Sequence, residues 1–154
     1  MGRVEEKAAL ITGDASSPRQ SQAATMVPPD HILVRYFRAL DSRATDELVA
    51  MFAPDGLMIT KGGTAGQAVQ GHEGLREFYV GRGPATSQHI VTNAAQTERV
   101  SLAEGLVRPL GSGEVKFFLA SALLGRSNLI TRYTTLVWAD ITPAHEDALL
   151  RSAP

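Results

Sequence analysis

Apolar positions recur at helical spacing directly after Pro28-Pro29, where Leu33, Tyr36/Phe37 and Leu40 predict a first helix and Asp30 stands where an N-cap is needed. Asp41-Ser42-Arg43-Ala44 breaks the period. Thr45 then suits the cap of a short second helix running to Phe52, with Asp46 and Glu47 in the first turn where the helix dipole favours acids. Pro54-Asp55-Gly56 predicts a turn, Leu57 to Thr60 a short strand, and glycine-rich Lys61 to Gln70 a mobile loop. Leu75, Phe78 and Tyr79 share one face of a third helix over His72 to Val80, closed by Gly81-Arg82-Gly83-Pro84. From Ser87 onward the texture changes to strand. β-Branched and aromatic runs at His89–Asn93, 115–124 and 129–141 are separated by Gly-Ser-Gly and Gly-Arg-Ser-Asn turns. Helices first and a meander of strands afterwards predict an α+β fold, an antiparallel sheet curling around the helices.

Length and charge narrow the class. The 154 residues suit one domain, expected over 30–154, with 1–29 as a flexible arm, because 16–29 is too rich in Ser, Gln, Ala and Pro to offset its ordering entropy. Fifteen basic side chains face sixteen acidic ones, and no basic run occurs, so nucleic acid is not the expected partner. Without cysteine there is no disulfide, thiolate nucleophile or cysteine-held metal, which fits the cytoplasm. No apolar stretch approaches the roughly 20 residues that span a bilayer, so no membrane partner is expected.

The candidate chemistry is a constellation of Tyr36, Asp41 and His89. A tyrosine, a carboxylate and a histidine are the parts needed to take a proton from carbon beside a carbonyl and steady the enolate that results. Tyr36 and Asp41 stand five residues apart, about 140° on an ideal helix, so both face one cavity only where the helix ends between them. On a regular strand His89, Val91 and Asn93 point one way, and Tyr133 and Trp138 point opposite ways. Each residue also has a plainer reading: His89 as a buried histidine bonded to the next strand, Asp41 as a helix-ending residue, Tyr36 as core beside Phe37. His72 is expected in a solvated capping role, and His31 and His145 show no evident partner. No His-x-His or His-x-x-x-His pair suggests a metal, and no Gly-x-Ser-x-Gly elbow suggests a hydrolase.

Tyr36-x-x-x-x-Asp41, Gly71-His72-Glu73-Gly74-Leu75-Arg76-Glu77-Phe78 and Gln88-His89-Ile90-Val91-Thr92-Asn93 together resemble the SnoaL-like branch of the nuclear transport factor 2-like superfamily. Its members include scytalone dehydratase, bile acid 7-alpha-dehydratase and ketosteroid isomerase, and many without known activity. The resemblance covers about 30–152. It implies a cone whose curled sheet and first helices enclose a deep pocket, with His89 as general base, Asp41 orienting it and Tyr36 holding the oxyanion. Asn93, Val91, Phe37, Met58 and Tyr133 are then the expected substrate-binding wall. The implied activity is a lyase or isomerase without metal or organic cofactor, acting on a small cyclic or polyketide-like substrate. The alternatives are a non-catalytic binding or assembly domain of the same fold and, ranked last, the small subunit of an aromatic-ring dioxygenase.

Two departures stand out. The family commonly ends in a hairpin, whose last strand is expected here at 146–152, and so short an end favours a homodimer that covers the sheet edge. Some relatives use a further acid or base on the late strands, for which only Asp140 is available. Separately, 4–17 look like the opening of a short-chain dehydrogenase. That start lacks the later glycines, which are replaced by Ser17 and Arg19, and the chain has no Tyr-x-x-x-Lys, so no nicotinamide site is expected.

Overall fold

The computed structural model describes residues 27–62, 65–139 and 143–152. The expectations for the arm up to residue 26, and for Asp140, lie outside the described residues. Within them the order is α1 (Ile32–Asp41), α2 (Thr45–Ala50), β1 (Phe52–Gly62), β2 (Ala65–Gln70), α3 (Gly71–Gly81), β3 (Ser87–Gln96), β4 (Val100–Pro109), β5 (Lys116–Leu124), a 3-10 turn at Arg126–Asn128, β6 (Ile130–Trp138) and α4 (Pro143–Ser152). The six strands form one curled, unclosed sheet in the order β2-β1-β6-β5-β4-β3. Neighbours run antiparallel except β1 and β6, which pair in parallel where an all-antiparallel sheet was expected.

The core fills the concave face. Leu33, Tyr36, Phe37 and Leu40 of α1 are buried as their spacing requires, and they meet Phe118, Ala120 and Tyr133 from the sheet. Both ends of α1 engage β3. The Ile32 N–H donates to Gln96 Oε1 at 3.1 Å, and Asp41 bonds His89. Asp30 is therefore not the cap. His31 holds that position without a side-chain cap bond, and its ring turns inward to Ser101 Oγ at 3.3 Å. Thr45 likewise is the first residue of α2, behind an N-cap Ala44.

Several features differ from the sequence expectation. Pro54-Asp55-Gly56, expected as a turn, lies within β1, where the pairing with β6 shifts register between Phe52 and Leu57. Much of the glycine-rich stretch at Lys61–Gln70 is strand, because β2 pairs with Leu57–Gly62 along its backbone, and edge pairing needs no buried side chains. β4 lies where no strand was expected. Gly105 interrupts its apolar pattern for a spatial reason, since a Cβ there would stand 2.0 Å from the Ile90 carbonyl oxygen of β3. The C-terminal segment is helix, not strand. Pro143 at its first position, Glu146 in the first turn, Arg151 in the last and no β-branched residue all favour that state. Finally, His72 is not a solvated cap: its Nε2–H donates to the Phe52 carbonyl at 2.9 Å.

Candidate active site

Asp41 is the last residue of α1, and the backbone behind it turns sharply. The Ala44 N–H bonds the Ala39 carbonyl at 2.9 Å, the Arg43 N–H bonds the Leu40 carbonyl at 3.3 Å, and Arg43 sits in the left-handed region at φ 59°. This is the Schellman closure of a helix, with arginine where glycine is usual. It satisfies the terminal carbonyls by local bonds and frees the Asp41 carboxylate to reach β3.

There the carboxylate takes both donors of one residue. His89 donates its backbone N–H to Oδ2 at 2.8 Å and its ring Nδ1–H to Oδ1 at 2.6 Å. A carboxylate accepts only, so the second bond fixes the tautomer and leaves the lone pair of the neutral ring on Nε2. Nε2 has no hydrogen-bond partner among the described residues. The imidazole stacks on Phe37 at 4.9 Å and meets the edge of Phe118 at 5.7 Å. Its orientation is thus set by two bonds and two rings, with the side chain only 11% exposed.

The ring borders a cavity of about 70 Å³ between α1, α3 and the inner sheet face. Tyr36 and Phe37 of α1, Met58 of β1 and Tyr133 of β6 share its wall with His89. The Tyr36 hydroxyl lies 3.1 Å from that of Tyr79, which is 3.5 Å from the Met58 sulfur. The rings of Tyr36 and Tyr133 are 4.5 Å apart. Burial pushes the hydroxyls of Tyr36, Tyr79 and Tyr133 well above the ordinary tyrosine value, so all three remain protonated donors at neutral pH. A cavity bordered by an oriented imidazole and by hydroxyl donors has the groups needed to take a proton from a bound molecule and hold the negative charge that follows.

Not every expected wall residue is there. Asp41 stands behind His89, in an open groove shared with Arg38, Gln88 and Val91, and does not line the inner cavity. Val91 also faces this groove. Asn93 is on the other side of the sheet, exposed, with its amide 3.4 Å from Glu104 Oε1. The cause is a bulge: the β3–β4 register slips between Val91 and Asn93, and Thr92 is buried in place of its neighbour. Of the pair left open on β6, Tyr133 faces the cavity and Trp138 lies 46% exposed on the outer face against Phe117. Tyr79 and Arg82 were not anticipated as site residues. The signal for Tyr79 was its shared helical face with Leu75, the most buried position of α3. His31, expected without a partner, is buried beside Ser101, and His145 lies exposed on α4 with a contact of its own. Among the described residues no three His, Asp or Glu side chains converge as metal ligands, and no helix is long and apolar enough to cross a membrane.

A six-stranded curled sheet holding three helices on its concave face, with an acid-oriented histidine at an enclosed cavity, defines the class of small cone-shaped α+β domains. The SnoaL-like domain family matches residues 30–101, which include Tyr36, Asp41 and His89, so this part of the chain is similar to SnoaL-like domains of the nuclear transport factor 2-like fold. Among solved structures it is similar to a candidate ketosteroid isomerase from Kribbella flavida, with 18% identity, 73% of this chain and 78% of that chain covered, and a TM-score of 0.58. It is also similar to a candidate SnoaL-like polyketide cyclase from Shewanella putrefaciens, at 15% identity, 72% and 90% coverage and a TM-score of 0.58. A nuclear transport factor 2-like protein of unknown function from Burkholderia xenovorans matches at 11% identity, 72% and 83% coverage and a TM-score of 0.59. At such identities the likeness is one of fold. No curated protein matches the sequence significantly.

Proposed function

We propose that the protein is a lyase or isomerase, working without metal or organic cofactor, that removes a proton alpha to a carbonyl of a small cyclic or polyketide-like substrate. The observation that carries this is the Asp41–His89 pair, which presents an unbonded Nε2 beside a cavity walled by protonated tyrosines. In the proposed reaction Nε2 takes the alpha proton as the C–H electron pair moves into the carbon–carbon bond and the carbonyl oxygen becomes an enolate. Asp41 steadies the imidazolium, and Tyr36 donates to the oxyanion. The enolate then either takes the proton back from the His89 imidazolium at another carbon, an isomerisation, or expels a beta hydroxyl that the imidazolium protonates to water as the carbonyl re-forms, a dehydration. About 70 Å³ holds a few water-sized groups and is far below the roughly 300–1,000 Å³ of clefts for drug-sized ligands, which favours a substrate that inserts only one ring or one carbonyl-bearing end.

Solvent-deuterium exchange at the alpha carbon of small cyclic ketones and hydroxy-ketones reads the first step alone. His89→Ala should lower exchange by about 10²–10⁴-fold, with Asp41→Asn and Tyr36→Phe also acting mainly on rate rather than on ligand affinity. A parent protein that binds such a compound yet exchanges no faster than His89→Ala would leave the alternative, a small-molecule-binding domain of this fold. The small cavity is the observation on that side. As part of the same proposal, two copies associate through the outer sheet face rather than through a sheet edge.

A further inference from the structure

The cavity mouth holds a cation that the enolisation scheme leaves unused. Arg82 is the C-cap of α3, and its guanidinium borders the cavity with Leu40, Phe78, His89 and Val137. We propose that Arg82 receives an anionic group of the substrate, so that the site takes carbonyl compounds carrying a carboxylate; this rests on the enolising reading of the same cavity.

Three features support it. The backbone under Arg82 is held in place: its N–H bonds the Tyr79 carbonyl at 3.3 Å, the Gly83 N–H bonds the Val80 carbonyl at 3.4 Å, and Arg43 Nη2 donates to the Pro84 carbonyl at 3.0 Å. The guanidinium carbon stands 5.6 Å over the Phe78 ring, so one flat face is covered while the edge with its N–H donors stays free. Arg82 is exposed, and among the described residues it makes no ion pair. The rest of the wall is uncharged hydroxyls, apolar side chains and the ring of His89, while the Asp41 carboxylate is engaged behind that ring.

A cation at the rim of an apolar cavity, with no ion pair among the described residues, suits an anion, and the planar fork of arginine matches the two oxygens of a carboxylate. Its field also reaches inward, where it opposes the rise that burial imposes on all three tyrosines. In this proposal the carbonyl-bearing end of the substrate enters the cavity with its carboxylate left at the mouth.

The test is titration of the full chain with 4-oxocyclohexanecarboxylate and with its methyl ester, by calorimetry or ligand-observed NMR. The acid should bind at least about tenfold more tightly than the ester, with the preference shrinking as salt is raised. Arg82→Gln should abolish the preference while leaving ester affinity and thermal midpoint near the parent values, and Arg82→Lys should restore part of it. Equal affinity for the two probes, absence of binding by both, or a preference that survives Arg82→Gln would overturn the assignment. His89→Ala keeps Arg82 and should keep the preference while losing exchange. A parent that prefers the acid but shows no exchange therefore sinks the enolisation reading and leaves the arginine site standing.

Discussion

The three tyrosines are where single residues bear on both the proposed chemistry and the stability. Tyr36 and Tyr133 are buried to 2% and 1% exposure, and desolvation is the largest cause of their raised values. The folded protein therefore holds these protons more tightly than the unfolded chain does. Their contribution to stability is fully present below the unfolded tyrosine value near 10 and is lost as pH rises toward the folded values. The unfolding free energy from denaturant melts should thus fall steeply above pH 10, by up to about 1.4 kcal/mol per pH unit for each tyrosine, and Tyr133→Phe should remove one share of that slope without altering it below pH 9. Alkaline unfolding of the variant as steep as that of the parent would show that Tyr133 titrates freely. Tyr36 and His89 were legible as candidates because their chemistry and order are distinctive. Tyr79 was not, since a tyrosine on an apolar helix face reads as packing until its hydroxyl is seen to meet another.

At the scale of elements, the site depends on how closely β3 approaches β4. Gly105 allows that approach, and Phe118, whose ring lies against His89, is 3.0 Å from where a Gly105 Cβ would be. Gly105→Ala should force β3 outward or displace Phe118, at a cost near the upper end of the about 1–3 kcal/mol typical of overpacking, and should weaken the Asp41 clamp on His89. Thermal melts and the His89 ring resonances would register the two effects; a variant with an unchanged midpoint and unshifted resonances would contradict this account. β4 escaped sequence reading because its glycine interrupts the alternation, and β2 because an exposed edge strand leaves no apolar signature. The C-terminal helix was legible from Pro143, Glu146 and Arg151, but the expectation of a final hairpin overrode those local signals.

For the whole molecule the outer sheet face is the open question of packing. Leu102, Leu119, Leu123 and Trp138 are exposed there by 46%, 42%, 37% and 46%, while the helices around the cavity occupy the opposite face. These side chains lie on β4, β5 and β6, and three strands at about 4.8 Å spacing and nine residues at about 3.3 Å give a patch of roughly 430 Å², about half the roughly 800 Å² per partner of a stable interface. Glu104 on β4 and Arg132 on β6 flank the apolar strip, an arrangement that a two-fold axis makes self-complementary. Trp138→Glu should convert the proposed dimer to monomer in light scattering while leaving the alpha-carbon exchange rate within a few-fold; a parent that is monomeric at about 100 μM would refute the pairing.

The sequence alone determined the α+β class, the first and third helices and the last two strands, and it singled out Tyr36, Asp41 and His89 as candidates. Those follow from periodicity and side-chain chemistry, which are local and travel with the chain. Only the tertiary structure decided that Asp41 stands behind His89, that a bulge carries Asn93 away from the cavity, that Arg82 borders it and that Tyr79 bonds the Tyr36 hydroxyl. These depend on strand register and on which backbones approach within a few ångströms, and neither is written in the spacing of residues along a single segment.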